Sequence, residues 1–389
     1  MNTSEQPSPL YFLSGGGTGG HVYPSLAVAA ALAHAPNSPR VAYVGSPDGM
    51  EGDLVRREST LSFHAVDAAA VRGRGPRALL ANMFRLGRGV LQAMALIRRE
   101  RPAAVFGTGG YVCVPLFVAA WLLRVPRAIY LPDVVPGLAV RFLARLSTLV
   151  VTTIADAAPF LHLEPQTPTS YRPGLRRLVV TGYPVRPALA TTNRVAARAV
   201  FGIPDETPIL LVYGGSRGAR SINVAIRDAL PALLPQMHII HVCGREGDEP
   251  MLRAAALAYT GPDASRYHLY PYLAADGPLT MSAAFAAADV TICRSGASVL
   301  GELPIAGLPA ILVPYPYVHQ DENADYLVRH GAAIKIADAR VSSDLSATVL
   351  TLVADHGALT SMRTQMRALA QPEAAQTIAS LLQTIARGA

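Results

Sequence analysis

The chain has 389 residues, of which 51% are hydrophobic and 16% charged, and its net charge is +7. This length exceeds one ordinary hydrophobic core and predicts two domains. The longest apolar run covers residues 112–123 and contains Pro115. A bilayer-spanning helix needs about 20 apolar residues, so composition excludes an integral membrane protein. Three scattered cysteines favour a reducing cytoplasm over a disulfide framework.

The first half alternates predicted strands with predicted helices. Strands are predicted at 10–13, 41–45, 103–106, 128–131, 149–153 and 178–180, and helices at 22–35, 78–99 and 114–123. This alternation predicts an α/β fold with a parallel sheet that helices cover on both faces. Such sheets bind ligands at the carboxyl ends of their strands.

Glycine-rich turns follow three of the predicted strands, at 14–21, 107–111 and 214–220. Glycine lets main-chain N–H groups approach a ligand closely, and a helix N-terminus favours negative charge, so each turn is a candidate phosphate site. Gly15, Gly17 and Gly20 match the dinucleotide pattern G-x-G-x-x-G. No acidic residue closes the second strand to bind a ribose, which disfavours a nicotinamide dehydrogenase.

His21 opens the first predicted helix at the mouth of its glycine turn. A lone histidine is more often structural. At this place, however, it can donate to a phosphate or accept a proton from a sugar hydroxyl. A helix N-terminus lowers the proton affinity of a histidine, which suits a neutral base.

The segment 71–101 carries as much net positive charge as the whole chain. It contains eight arginines (72, 74, 77, 85, 88, 98, 99 and 101) against the single acid Glu100. Apolar residues interleave with the arginines, and a segment of this kind is attracted to an anionic membrane surface. An ordinary amphipathic helix with a solvated arginine face is the alternative. The segment has one aromatic residue and no known nucleic-acid-binding motif, which disfavours nucleic acid as its partner.

The domain boundary is predicted after the proline- and arginine-rich stretch 161–177. The predicted domains are 10–184 and 185–371, and the last helix, within 372–389, is expected to pack back on the first domain. The second half repeats the alternation, with strands at 209–213, 238–243, 290–293 and 310–314 and a helix at 221–234.

The densest group of candidate residues lies between Arg294 and Asn323. A helix predicted to start near Ala297 presents free N–H groups to a diphosphate, and Glu302 faces the same mouth and can bind two ribose hydroxyls. Gln320 and Asn323 are predicted to share a helix face and to offer amides to sugar hydroxyls. Together these residues describe a nucleotide-sugar pocket. No Asp-x-Asp and no metal-spaced His/carboxylate set occurs, so no metal or other cofactor is predicted.

These motifs resemble the glycosyltransferase-B superfamily, and closely the MurG family, whose members make lipid II. The resemblance runs from Leu10 to the C-terminus. It implies two Rossmann-like domains facing a cleft, with a lipid-linked acceptor near the N-domain glycine turns and UDP-GlcNAc in the C-domain. It further implies peripheral attachment to the cytoplasmic face of the cell membrane and other cell-wall synthesis proteins as partners.

The resemblance also implies roles for individual residues. Arg186 and Ser216 approach the UDP diphosphate, Glu302 binds the ribose, and Leu273 flanks the uracil. The complete set of implied substrate-binding residues is Thr18, Gly19, Gly20, Tyr111, Arg186, Ser216, Leu273, Ala297, Ser298, Val299, Glu302, Gln320 and Asn323. The implied membrane patch is Leu79, Leu80, Met83, Phe84 and Trp121. Either His21 or Asp133 is the hypothesised base of an inverting transfer.

Two segments depart from the family pattern. Tyr130-Leu131-Pro132-Asp133 stands where the family has His-Glu-Gln-Asn, and Tyr183 stands where it has asparagine. An aspartate can accept a hydrogen bond but cannot donate one as an amide does. These departures leave two alternative functions: a related glycosyltransferase with another lipid acceptor, or a non-catalytic UDP-sugar-binding scaffold protein.

Overall fold

The computed structural model describes residues 8–17, 19–35, 38–69, 75–172, 178–203, 206–274 and 277–388. The chain divides into two compact units. Unit 1 comprises Met1–Val185 together with Pro372–Ala389, and unit 2 comprises Arg186–Gln371. Each unit has one parallel sheet with helices, so the predicted fold class is confirmed.

Unit 1 is built around a sheet whose eight described strands run in the order β3-β2-β1-β4-β5-β6-β8-β7. Its strands are β1 (Leu10–Ser14), β2 (Arg40–Gly45), β3 (Ser62–Ala65), β4 (Ala104–Gly107), β5 (Arg127–Leu131), β6 (Leu149–Thr152), β7 (Pro165–Gln166) and β8 (Leu178–Val180). Its helices are α1 (Gly19–Ala33), α2 (Met50–Glu58), α3 (Pro76–Glu100), α4 (Cys113–Leu122), α5 (Leu138–Leu146) and the C-terminal α15 (Ala374–Arg387), with 3₁₀ turns at Ala155–Leu161 and Pro168–Ser170.

The central strands of unit 1 are apolar runs because helices cover both faces of the sheet. Every residue of β1 is buried, and Phe12 is completely enclosed between its strand partners Ala42 and Val105. Runs of this kind are typical of parallel strands that lie inside an α/β domain. The C-terminal helix α15 packs on α1 through buried residues that include Ile378 and Leu382.

Unit 2 has six described strands in the order β11-β10-β9-β12-β13-β14. The strands are β9 (Ile209–Tyr213), β10 (His238–Val242), β11 (Tyr267–Tyr270), β12 (Val290–Cys293), β13 (Ala310–Leu312) and β14 (Ala333–Lys335). The helices are α6 (Ala188–Thr191), α7 (Arg194–Val200), α8 (Arg220–Leu233), α9 (Glu249–Ala258), α10 (Met281–Ala287), α11 (Val299–Ala306), α12 (Asp321–Arg329), α13 (Val341–Ala354) and α14 (His356–Ala368), with 3₁₀ turns at Ala264–Arg266 and Asp338–Arg340.

Strand neighbours determine which turns lie side by side. In unit 1, Ser14 at the end of β1 pairs with Gly107 at the end of β4, so the glycine turns that follow these two strands are adjacent. In unit 2, Tyr213 at the end of β9 pairs with Cys293 at the end of β12, which places the turn after Gly214 beside the turn after Arg294. None of the helices in the described ranges combines the length and apolarity needed to cross a bilayer.

Candidate functional site

The two glycine turns of unit 1 interlock through Thr108. The Thr108 hydroxyl donates to the carbonyl oxygen of His21 at 2.5 Å and lies 3.3 Å from the Ser25 hydroxyl. A Cβ atom on Gly15 would lie only 2.1 Å from Thr108 Oγ1. Glycine is therefore required at this position by packing, because any side chain would displace the hydroxyl that links the two turns.

The His21 ring is held in one tautomer. Its Nδ1 lies 2.8 Å from the carbonyl oxygen of Thr108. A carbonyl oxygen only accepts, so Nδ1 carries the proton of the neutral ring and Nε2 keeps its lone pair. Burial is the largest influence and lowers the pKa of His21, whereas the charge of Asp133 and the Thr108 bond raise it. A neutral imidazole with an available Nε2 is what a general base requires.

Asp133 follows β5 and is close enough to His21 for its charge to raise the pKa of that ring. The structure therefore brings the two hypothesised bases into electrostatic contact. Of the implied acceptor-side residues, Gly19 and Gly20 form the first turn of α1, and Tyr111 is exposed in the glycine turn after β4. Thr18 lies outside the described residues.

The two departures from the family pattern contact each other. The rings of Tyr130 and Tyr183 pack edge to face with centroids 6.3 Å apart. The Tyr130 hydroxyl shares a 2.6 Å hydrogen bond with the Thr153 hydroxyl, and the Tyr183 hydroxyl donates to the carbonyl oxygen of Gly20 at 3.3 Å. The two substitutions thus form one buried aromatic pair beside the first turn of α1.

In unit 2, the helix after Arg294 begins at Val299, two residues later than the sequence predicted. The N–H of Val299 donates to the carbonyl oxygen of Gly296 at 3.1 Å and is therefore occupied. The N–H groups of Ala297 and Ser298 donate to no main-chain carbonyl in the described ranges. Of the three amides expected to receive a diphosphate, two are available.

Arg186 and Glu302 line one pocket of unit 2, together with Leu189, Met281, Ser282 and Phe285. Burial raises the pKa of the Glu302 carboxyl, while a hydrogen bond from Ser298 and the charge of Arg186 lower it. A carboxylate accepts two hydroxyl hydrogen bonds and a guanidinium matches phosphate oxygens. Glu302 and Arg186 therefore present neighbouring groups that are complementary to ribose hydroxyls and to phosphate oxygens.

The Arg294 guanidinium makes its hydrogen bonds within unit 2 and stabilises its own turn. Its guanidinium donates to Asp338 Oδ1 at 2.6 Å and to the Ser221 hydroxyl at 2.8 Å. It also donates to the carbonyl oxygen of Val313 at 3.1 Å. Arg294 thus fixes the start of the α11 segment, and Arg186 is the arginine that lines the pocket.

Gln320 and Asn323 both bond to Ser295, in the turn after Arg294. Gln320 precedes α12, and its Oε1 accepts from the N–H of Tyr315 at 2.9 Å. Asn323 is fully buried, and its Nδ2 donates to the carbonyl oxygen of Ser295 at 3.0 Å. Gln320 thus stands directly before α12 and Asn323 lies in its first turn, and their contact with a donor sugar stays a prediction. Among the other implied donor-side residues, Ser216 is exposed and Leu273 is buried.

The expected membrane patch is exposed on two neighbouring helices. On α3, Leu80, Met83 and Phe84 have 69%, 57% and 77% of their surface exposed, and Leu79 is half-buried. Trp121 on α4, which packs against α3, is 48% exposed. Three of the eight arginines are paired with acids: Arg85 with Asp48, Arg88 with Asp67 and Arg99 with Glu100. The positive charge around the patch is therefore smaller than the number of arginines in the sequence suggests. Arg72 and Arg74 lie outside the described residues.

Thr108 and Glu51 were not predicted from the sequence as candidate site residues, although both lie against the first glycine turn. Thr108 stood within a recognised glycine turn, and its position next to the adjacent strand end was the available signal. Glu51 lies on α2, which has too few apolar residues to show a helical period. Over the described ranges, no cluster of three or more metal-binding side chains occurs.

Comparisons with known proteins cover nearly the whole chain. Residues 11–152 match the glycosyltransferase family 28 N-terminal domain, and residues 209–378 match the family 28 C-terminal domain. A UDP-N-acetylglucosamine--N-acetylmuramyl-(pentapeptide) pyrophosphoryl-undecaprenol N-acetylglucosamine transferase from Roseiflexus sp. (strain RS-1) is 52% identical over 96% of this chain and 94% of its own. The chain belongs to this transferase family.

Other relatives agree with that assignment. The transferase of the same name from Desulforudis audaxviator is 38% identical over 96% of this chain and 98% of its own. The crystal structure of Acinetobacter baumannii MurG superposes with a TM-score of 0.72 at 27% identity, covering 97% of this chain and all of that one. A UDP-GlcNAc 2-epimerase from Neisseria meningitidis, at 13% identity and a TM-score of 0.67, shares the fold. The protein is accordingly a glycosyltransferase with the GT-B fold.

Proposed function

We infer that the protein transfers N-acetylglucosamine from UDP-GlcNAc to a polyprenyl-diphosphate-linked N-acetylmuramyl-pentapeptide, converting lipid I to lipid II. The support is the identity of 52% to a transferase of that name over 96% of the chain. The structural observation that supports the chemistry is His21, whose Nδ1 is fixed on Thr108 and whose Nε2 is available. The product enters peptidoglycan synthesis, on which cell shape and cell division depend.

On the acceptor side, His21 is the proposed catalytic base. The attacking acceptor hydroxyl gives its proton to Nε2 while its oxygen bonds to the anomeric carbon of the donor sugar. Because the ring is neutral, it needs no prior loss of a proton. The charge of Asp133, which raises the pKa of His21, stabilises the imidazolium that forms.

On the donor side, the bond between the anomeric carbon and the diphosphate oxygen breaks, and its electron pair leaves with UDP. The N–H groups of Ala297 and Ser298 and the guanidinium of Arg186 are placed to receive the growing negative charge. The Glu302 carboxylate binds the two ribose hydroxyls and so fixes the leaving group. One displacement from the face opposite UDP inverts the anomeric centre.

The exposed apolar surface of α3 and α4 supports peripheral attachment to the cytoplasmic face of the membrane. Leu80, Phe84 and Trp121 provide apolar area, and arginines of the same helix attract anionic lipids. A lipid-linked acceptor stays in the bilayer, so attachment brings the base-bearing unit to its substrate.

Radiolabelled UDP-GlcNAc with purified lipid I tests this function directly. We expect a labelled product whose mass equals lipid II, and no product when diacylglycerol replaces lipid I. Glycosylation of diacylglycerol alone would show a related transferase with another acceptor. Tight UDP binding without release of sugar from the donor would show a binding protein instead.

A further inference from the structure

Glu51 is a buried carboxylate that lies against the first glycine turn of unit 1. Only 1% of its surface is exposed, although it stands in the first turn of α2. Its Oε1 accepts two hydrogen bonds from Ser46, one from the main-chain N–H at 2.9 Å and one from the hydroxyl at 2.7 Å. These two bonds fix the plane of the carboxylate.

The second oxygen of Glu51 faces Gly16. A Cβ atom on Gly16 would lie 2.7 Å from Glu51 Oε2 and 2.5 Å from Val112 Cγ2. No group in the described ranges donates a hydrogen bond to Oε2. A completely enclosed oxygen without a partner would belong to the buried polar atoms that lack one, and Oε2 does not belong to them. Oε2 therefore keeps a narrow opening and unused acceptor capacity next to the turn.

A carboxylate in this place changes what the turn can bind. Negative charges a few ångströms apart repel each other, and the repulsion is strong where protein excludes water. The Gly15–Gly17 end of the turn therefore disfavours a phosphate and favours a hydrogen-bond donor. The start of α1 at Gly19 and Gly20 has the positive end of a helix dipole and remains suited to the anion.

We propose that Glu51 Oε2 accepts a hydrogen bond from a hydroxyl or amide N–H of the acceptor sugar, at the Gly15–Gly17 end of the turn. This role rests on the proposed function, in which the sugar is attached to a diphosphate. It divides the turn into a sugar end and a phosphate end. The division sets the direction in which the acceptor lies across the turn.

The test replaces one oxygen of Glu51 and keeps the other. In Glu51→Gln the side-chain oxygen still accepts from Ser46, so the amide NH₂ faces Gly16 and presents a donor where an acceptor stood. We expect the KM for lipid I to rise about tenfold to a hundredfold, since a hydrogen bond to a charged group is lost. The KM for UDP-GlcNAc and the melting temperature should remain near wild type.

Two further variants give the matched comparison. Asp53→Asn removes a charge from the same helix at a side chain that is 79% exposed and paired with Arg56, so it should leave both KM values unchanged. Ser46→Ala keeps the carboxylate but removes one of its two fixed hydrogen bonds. It should raise the KM for lipid I by a smaller factor than Glu51→Gln.

An unchanged KM for lipid I in Glu51→Gln would overturn the role. So would a fall in kcat at unchanged KM, or a parallel rise of both KM values with a lower melting temperature, because these indicate proton transfer or a purely structural part. The wild-type enzyme separates this outcome from failure of the proposed function. If wild type does not glycosylate lipid I, the proposed function is wrong. If wild type glycosylates lipid I and Glu51→Gln has the same KM for it, only the role of Glu51 is wrong.

Discussion

The two units use the same strand–turn–helix arrangement but surround their glycine turns with different side chains. In unit 1 the turn after β1 lies against Thr108, His21 and Glu51, whose polar groups are held by hydrogen bonds to fixed partners. In unit 2 the groups beside the α11 start are main-chain amides, Arg186 and Glu302. The shared fold therefore determines only where the glycine turns lie. The side chains from neighbouring elements determine which chemical groups surround each turn, and in the proposed function these groups handle a proton in unit 1 and a departing anion in unit 2.

The largest expected effect comes from removing His21, the proposed base of unit 1. His21→Asn keeps a donor for the Thr108 carbonyl, because the asparagine amide nitrogen takes the place of Nδ1, but it has no equivalent of Nε2. We expect kcat to fall about 10²–10⁴-fold while the KM for UDP-GlcNAc stays unchanged. Steady-state kinetics measures both values. A variant that keeps wild-type kcat would remove His21 from the chemistry and with it the contrast between the units.

A second expected difference is membrane attachment through unit 1. Phe84→Glu replaces a side chain that is 77% exposed, so the fold should tolerate it. Burying such a side chain contributes about 1.5–3 kcal/mol, so the affinity for anionic vesicles should fall about tenfold to a hundredfold. Leu257→Glu in unit 2, where 85% of the leucine is exposed, is the matched control and should sediment with vesicles as wild type does. Equal losses in both variants would contradict attachment through α3.

The units also offer a comparison of acid stability. In unit 2, burial lowers the pKa of His241 to about 3, and its ring bonds Asn223 and Tyr267. The unfolded chain takes up this proton near pH 6.5, so stability is intact above that pH and is lost as pH falls towards 3. Denaturant unfolding at pH 7 and pH 5 should show a loss of at most about 1.4 kcal/mol per pH unit from this residue.

His241→Gln should reduce that pH dependence, since glutamine does not titrate, even if its overall stability is lower. The same slope in wild type and variant would show that other groups control the acid stability of unit 2.

The smallest expected effect concerns the pH dependence of turnover. His21 must be neutral to accept a proton, so activity should fall as pH decreases through its pKa, which burial places below 6.5. Asp133 raises that pKa by its charge, so Asp133→Asn should move the acid limb of the kcat/KM profile to lower pH. A limb that moves upward would mean that Asp133 does not act on His21.

The sequence predicted the inner strands of both sheets because they are apolar runs, followed in β1 and β9 by glycine turns. It did not predict the edge strands β3, β7, β11 and β14. It missed α2, whose nine residues include five charged ones, and therefore Glu51. It also treated Tyr130 and Tyr183 as separate departures, because a contact between residues far apart in the chain leaves no local pattern.

The division of labour between the units is tested most directly by calorimetric titration of UDP into wild type, Glu302→Gln and His21→Asn. Glu302→Gln should bind UDP about tenfold to a hundredfold more weakly, because a carboxylate that holds the ribose is lost. His21→Asn should bind UDP as wild type does. Undiminished affinity in Glu302→Gln, or a loss of affinity in His21→Asn, would contradict the assignment of the leaving group to unit 2 and of proton transfer to unit 1.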